Sequence, residues 1–167
     1  MHRLPPLCRP HGRYRLPLAD RSAAGVVGVL VDLTAAPPGP QLAQALAADP
    51  PFLLWATARA GQAGIEPAGV DDIAAWLAPR LLDELSWLAS EASQPPPRDP
   101  RPSDSLAEHV ARALALSELT ERLAAGDGSV PPKTAAFWGL LEPAGRFLAE
   151  AEPEAAERGG GGERDAQ

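Results

Sequence analysis

Apolar positions recur at steps of three and four residues along much of the chain, which is the spacing of one face of an α-helix. The longest run spans residues 106–123, with apolar side chains at Leu106, Val110, Ala113, Leu116, Leu119 and Leu123. Ser105 and Glu108 fit a capping box at its start, and Gly126–Asp127–Gly128 would end it. The pattern therefore predicts a long helix in the second half of the chain.

Shorter helices are predicted in the first half. Asp49 followed by Pro50 is a helix start signal for residues 50–60, and a short helix with Leu42 and Leu46 on one side precedes it. Residues 70–77 predict another helix, and Pro79 begins a further one with an apolar stripe. Residues 23–33 could form a buried strand, but a single short strand finds no partner, so we expect a helix there. The fold class is predicted to be all-α.

A proline-rich segment, residues 93–102, separates the two sets of helices. We interpret it as a stiff spacer rather than as a polyproline ligand for an SH3-like groove. The predicted organisation is a basic, flexible segment at 1–19 and one helical domain at 20–152, with halves at about 20–92 and 103–152. Residues 153–167 form a glycine- and glutamate-rich tail with little apolar content, which favours disorder.

Composition and charge bear on the number of domains and on the role of the start of the chain. The 167 residues are 45% hydrophobic, which is enough for the core of one domain, and the net charge is −7. Five arginines nevertheless lie in the first 21 residues: Arg3, Arg9, Arg13, Arg15 and Arg21. Because Tyr14 is the only aromatic residue among them, a flexible tail is favoured over a nucleic-acid-binding arm.

Hydropathy and cysteine content indicate the location of the protein and its partners. No apolar run reaches the roughly 18 residues of a membrane span, and no signal-peptide pattern opens the sequence, so we expect a cytoplasmic protein without a membrane partner. The single cysteine, Cys8, excludes an intramolecular disulfide. Its spacing to His2 and His11 matches no established metal site. Abundant proline, glycine, alanine and arginine suggest a GC-rich bacterial genome.

The segment Gly139–Leu140–Leu141–Glu142–Pro143–Ala144–Gly145–Arg146 resembles the second half of an HD-type phosphohydrolase domain. In that family a helix reading Gly-Leu-Leu-His-Asp-x-Gly-Lys carries the paired His and Asp that hold the catalytic metal. Here Glu142 and Pro143 stand in their place. Since proline offers no ligand atom and cannot continue a helix, we expect a bend or break near Glu142. The resemblance is therefore to the non-catalytic HDOD (HD-related output) domains.

Two further segments carry the same resemblance. Leu42, Ala43, Leu46, Asp49 and Pro50 match the HDOD pattern Leu-Ala-x-x-Leu-x-x-Asp-Pro, although Ala60–Gly61 replaces the family's Asn-Ser. His109 occupies the place of the first metal-ligand histidine of HD domains. A histidine without metal is the favoured interpretation, since one ligand cannot hold an ion. The tryptophans are expected in the core rather than around a ligand groove: Trp55, Trp76, Trp87 and Trp138.

The resemblance implies a non-enzymatic regulatory or scaffolding module of bacterial signal transduction that binds other signalling proteins. We expect no catalytic, cofactor-binding or metal-binding residues and no cofactor, and the oligomeric state is left open. The alternative is a divergent metal-dependent phosphohydrolase, with His109, Glu108 and Glu142 as contributors. Nucleic-acid binding through the arginine-rich start is a third, less favoured hypothesis.

Overall fold

The computed structural model describes residues 7–9, 12–15, 39–81, 83–84, 104–149 and 152–153. The predictions for residues 23–33, for the proline-rich segment, for Trp87 and for the tail beyond residue 153 lie outside these ranges. The described part is predominantly helical, so the all-α prediction is confirmed. Its helices are α1 (Gly39–Ala48), α2 (Pro50–Gln62), α3 (Val70–Leu77), α4 (Asp104–Asp127), α5 (Pro132–Leu141) and α6 (Ala144–Ala149).

Three short strands form a small antiparallel sheet that the hydrophobic pattern did not predict. Strands β1 (Leu7–Arg9) and β2 (Gly12–Arg15) pair as a hairpin, with Leu7 opposite Tyr14. Strand β3 (Glu152–Pro153) pairs with β2 on its other edge, with Arg15 opposite Glu152. The sheet therefore joins the start of the chain to the segment that follows α6.

The start of α2 is defined by a side-chain cap and a proline. The Asp49 side chain is the N-cap and accepts a hydrogen bond from the Phe52 backbone N–H at 2.9 Å, and Pro50 occupies the first helical position. This confirms the predicted start signal. The helix extends to Gln62, beyond the predicted end at Ala60, and Gly64 at φ +77° lies in the left-handed region that ends the segment.

Helix α3 spans the predicted residues but begins without a side-chain cap. Gly69 occupies the N-cap position and has no side chain to accept a hydrogen bond. Asp72, inside the first turn, instead accepts from the Ala68 backbone N–H at 2.8 Å. A 3₁₀ turn over Ala78–Arg80 follows, and Leu81 returns to α-helix. Pro79, the predicted start of the next helix, therefore lies within the tighter turn.

The long helix α4 confirms the predicted element and corrects its start. It begins at Asp104, one residue before Ser105, where the sequence predicted the cap. The helix ends at Asp127, and Gly128 follows at φ +70° with its N–H bonded to the Ala124 carbonyl at 2.8 Å. Glycine suits this left-handed position because it has no Cβ to clash with the preceding turn.

One hydrophobic cluster draws on helices from both sides of the proline-rich segment. The first half contributes most of it, from α1, α2 and α3, and the second half adds side chains from α4, α5 and α6. The largest fully buried members are Trp55, Phe52, Phe137, Phe147, Leu42, Leu46, Leu53, Ile73 and Leu77. Because the cluster is continuous, the two helical halves share a core.

A bidentate ion pair ties α2 to the helical segment after α3. Arg59 donates to both carboxylate oxygens of Glu84, with Nη2 at 3.0 and 2.8 Å and Nε at 3.1 Å. The two side chains are 35% and 19% exposed, so the pair is partly shielded from water. No helix among the described residues has both the length and the apolar character needed to cross a membrane.

Candidate functional site

The helix break expected at Glu142 is present. Helix α5 ends at Leu141, Glu142 keeps helical angles, and α6 begins at Ala144. Pro143 is buried, and its carbonyl accepts backbone hydrogen bonds from Arg146 at 2.8 Å and Phe147 at 3.2 Å, which start the new helix. Proline therefore breaks the segment where the HD resemblance would require a metal-binding carboxylate.

His109 lies on α4 and is half-buried. Its ring meets the buried Phe147 of α6 edge to face, with centroids 6.5 Å apart. Its Nδ1 atom is buried and has no hydrogen-bond partner within the described ranges. The interpretation as a histidine packed against the core fits these contacts, while the buried nitrogen retains the capacity to donate or accept one hydrogen bond.

The other two residues named for a metal site are exposed. Glu108 is exposed on α4, and Glu142 pairs with Arg112 of the same helix at 3.6 Å. Both partners of that pair are about half exposed. In the described part of the chain no group of three His, Cys, Asp or Glu side chains is positioned to hold a metal ion.

Helices α4 and α5 approach closely at Gly139. A Cβ added there would lie 2.6 Å from Thr120 Oγ1 and 2.8 Å from both the Leu116 carbonyl oxygen and Ser117 Cα. The Thr120 hydroxyl bridges the two helices, with the Leu116 and Ala135 carbonyl oxygens each at 2.9 Å. Gly139, which is part of the family motif, is thus also the contact point of a tight helical hairpin.

The side of this hairpin that faces solvent is unexpectedly apolar. Leu119 and Leu123 of α4 are 52% and 62% exposed, and Trp138 of α5 is 60% exposed. We call these three residues the hairpin face. The sequence placed Leu119 and Leu123 in the same apolar stripe as the buried Leu106, so their exposure was not predicted.

Helical spacing and one ion pair place the three residues on a common side. On α4, Leu119 follows Arg112 by seven residues and Leu123 follows Leu119 by four. Arg112 therefore lies on the same side of α4 as the two leucines. Trp138 and Glu142 are four residues apart and share a side of α5 and its C-cap. The Arg112–Glu142 pair joins these two sides across the hairpin.

The three tryptophans of the described residues differ in burial. Trp55 is fully buried and stacks on Phe52 with ring centroids 5.9 Å apart, as expected for a core residue. Trp76 is half-buried beneath the Arg80 guanidinium, whose carbon lies 5.3 Å from the ring centroid. Trp138 is exposed, contrary to the expectation of a core position, and contacts Phe137 edge to face at 5.3 Å.

Comparisons of the chain with family models, with curated proteins and with solved structures found no match. The HDOD resemblance therefore rests on the motif residues alone.

Proposed function

We propose that this protein is a non-enzymatic regulatory or scaffolding module, and that it acts by binding another protein through the hairpin face. The observation that carries this proposal is the exposure of Leu119, Leu123 and Trp138 on one side of the α4–α5 hairpin. Scattered exposed apolar residues are ordinary on protein surfaces, but large ones gathered on one face mark interaction sites. Tryptophan is also enriched among the residues that dominate binding energy.

The geometry suits an amphipathic helix as the partner's binding element. Leu119 and Leu123 stand one helical turn apart, which matches the spacing of the anchors of a helix laid alongside. The Arg112–Glu142 pair lies at the edge of the face and offers both charges to a polar rim. The close approach at Gly139 and the Thr120 bridge hold the two helices in fixed register, so the face is preorganised.

Site-specific photocrosslinking tests the proposal. A photoreactive amino acid at position 123 is expected to capture a defined partner in cells that produce the protein, and mass spectrometry would map the adduct to an apolar helical segment of that partner. The matched control carries the same group at Ala125, which is exposed and lies two residues on, about 200° around α4.

Comparing the adducts formed at positions 123 and 125 decides whether a partner docks on the hairpin face. Adducts at position 123 that disappear in Trp138→Ala, together with none at position 125, would support docking on the hairpin face. Equal labelling at both positions, or adducts at 123 that persist in Trp138→Ala, would contradict it. A second copy of this chain as the captured protein would identify the face as a self-association surface.

The proposal also covers the class of protein, its location and the kind of partner it binds. We place the module among the HDOD-like proteins of bacterial signal transduction, in the cytoplasm, with another signalling protein as partner. The support is the Asp49–Pro50 start, the Gly139–Leu141 segment and the replacement of the metal-binding His-Asp by Glu142–Pro143.

A divergent metal-dependent phosphohydrolase is the alternative function. The observation in its favour is the buried Nδ1 atom of His109, which has no hydrogen-bond partner in the part of the chain that the structure describes. This alternative predicts tight one-to-one binding of manganese or zinc by calorimetry and metal-dependent cleavage of a phosphodiester, with both lost in His109→Ala. If metal binding or cleavage survives that substitution, the assignment to His109 is wrong.

A further inference from the structure

A cleft of about 350 Å³ lies between helices α1, α3, α4 and α5. Its volume falls at the lower end of the range of about 300–1,000 Å³ that is typical of small-molecule sites. Leu119, Leu123 and Trp138 are not among its lining residues, so the cleft is distinct from the hairpin face.

The base of the cleft is apolar. Phe137 and Leu140 of α5 are buried beneath it, and three alanines, Ala43, Ala47 and Ala136, form its walls. Their small side chains leave space that larger residues would fill. A base and walls of this kind favour a ligand with a short apolar body over a fully hydrated ion.

The charged side chains at the rim of the cleft determine which charge the ligand should carry. Lys133 of α5 bonds to Asp71 of α3 at 3.0 Å, so these two charges offset each other. Glu121 of α4 also lines the cleft, and within the described ranges no cation lies within ion-pair distance of it. The charged groups lining the cleft therefore sum to one negative charge, which favours a cationic ligand.

We propose that this cleft binds a small organic ammonium compound, with the ammonium group at Glu121 and the apolar body against Phe137 and Leu140. Gln44 and Ser117 also line the cleft, and their side chains carry oxygen atoms of the kind that accept ammonium protons. An anionic molecule of the same shape would meet the Glu121 carboxylate and bind less well.

The position of the cleft brings such a ligand into contact with both helical halves. Its walls come from α1 and α3 before the proline-rich segment and from α4 and α5 after it. The Asp71–Lys133 pair joins the same two halves at the rim, where both side chains are largely exposed and the pair adds little stability. A ligand bound in the cleft therefore contacts both halves, and its binding free energy adds to the stability of their packing.

The test is a titration of the full chain with phenethylammonium, followed through the backbone amide resonances of Gly69, Ser117 and Ala136. We expect saturable shifts at these positions, whereas 3-phenylpropionate and 2-phenylethanol, of similar shape but negative or neutral, bind more weakly. Glu121→Gln is expected to weaken phenethylammonium binding about fivefold, the upper range for an exposed ion pair. Glu118→Gln, on the same helix but outside the lining, should leave binding unchanged.

A steric variant checks the location independently of charge. Ala136→Leu fills the cleft from α5 and is expected to abolish binding, and Ala43→Leu does the same from α1 should the first variant fail to fold. Equal binding of 3-phenylpropionate, or full binding by Glu121→Gln, would overturn the charge assignment. The absence of saturable shifts, or their persistence in both leucine variants, would overturn the site.

Discussion

The two ends of α4 carry the same apolar repeat but meet different surroundings. At the N-terminal end Leu106 and Ala113 are fully buried in the shared core, and Leu116 further along is half-buried. At the C-terminal end Leu119 and Leu123, in the same stripe, are more than half exposed. A repeat of this kind indicates a helix with an apolar side, but it does not say whether the same chain covers that side throughout.

The physical reason lies in what packs against each end. The core is built mainly by α1, α2 and α3, and it reaches the first part of α4 together with Phe147 of α6. Beyond Leu116 the described partner of α4 is α5, which approaches at Gly139 and Thr120 and covers Ala124 but leaves the neighbouring leucines open. The uncovered end is therefore available to another molecule.

Truncating a leucine at each end is expected to give the largest difference. Leu106→Ala removes a fully buried side chain and should lower the free energy of unfolding by about 2–5 kcal/mol. Leu123→Ala removes an exposed one and should change it by less than about 0.5 kcal/mol. Urea unfolding followed by circular dichroism measures both, and similar losses would mean that Leu123 is covered in the isolated protein.

A second contrast compares two glycines, one at the hairpin contact and one at the exposed end of α4. Gly139→Ala places a Cβ within 2.8 Å of backbone atoms of Leu116 and Ser117, and we expect a net loss of about 1–3 kcal/mol. Gly126→Ala has nothing within 4 Å and should stabilise the helix by up to about 1 kcal/mol. Thermal unfolding of both variants checks the signs, and a stable Gly139→Ala protein would show that the helices lie further apart.

The cap of α2 is expected to have an intermediate effect within the covered region. Asp49→Ala removes the acceptor of the Phe52 N–H and should cost about 0.5–2 kcal/mol in chemical unfolding. Asp49→Asn keeps a side-chain oxygen at the cap and serves as the control, with a smaller loss expected. An equal loss in both variants would show that the negative charge, rather than the cap hydrogen bond, stabilises this position.

Removing ion pairs should change the free energy of unfolding least. The pair in the covered region should again contribute more than the pair near the exposed end of α4. The bidentate Arg59–Glu84 pair is partly shielded, and a double-mutant cycle should yield a coupling energy of up to about 1 kcal/mol. The Glu118–Arg122 pair near the exposed end of α4 is 73% and 80% exposed, and its coupling should be a few tenths of a kcal/mol at most. The reverse order would contradict the distinction between covered and uncovered regions.

Local chemistry explains which parts of the fold could be predicted. Asp49–Pro50 and Pro143 act through hydrogen bonds and ring sterics of the residues themselves, so the start of α2 and the break after α5 follow from the sequence. The all-α class follows from the apolar spacing in the same way. The start of α4 was predicted to within one residue, since the helix begins at Asp104 and the predicted cap is Ser105.

Features that depend on packing between distant segments could not be read from the sequence. Gly139 matters because Leu116, Ser117 and Thr120 of another helix meet it, and Trp138 is exposed because no described element covers it. The cleft likewise requires α1 and α3 to lie beside α4 and α5. Periodicity identifies the apolar side of each helix, whereas the choice among possible partners is made by tertiary packing.

The most direct test of the uncovered end is solvent paramagnetic relaxation at the leucine methyl groups of the isolated, dilute protein. A soluble paramagnetic agent should strongly relax the methyl resonances of Leu119 and Leu123 and leave those of Leu42 and Leu106 nearly unaffected. That result would establish an apolar surface open to a partner. Protection of Leu119 and Leu123 equal to that of Leu106 would contradict the hairpin face and the function proposed from it.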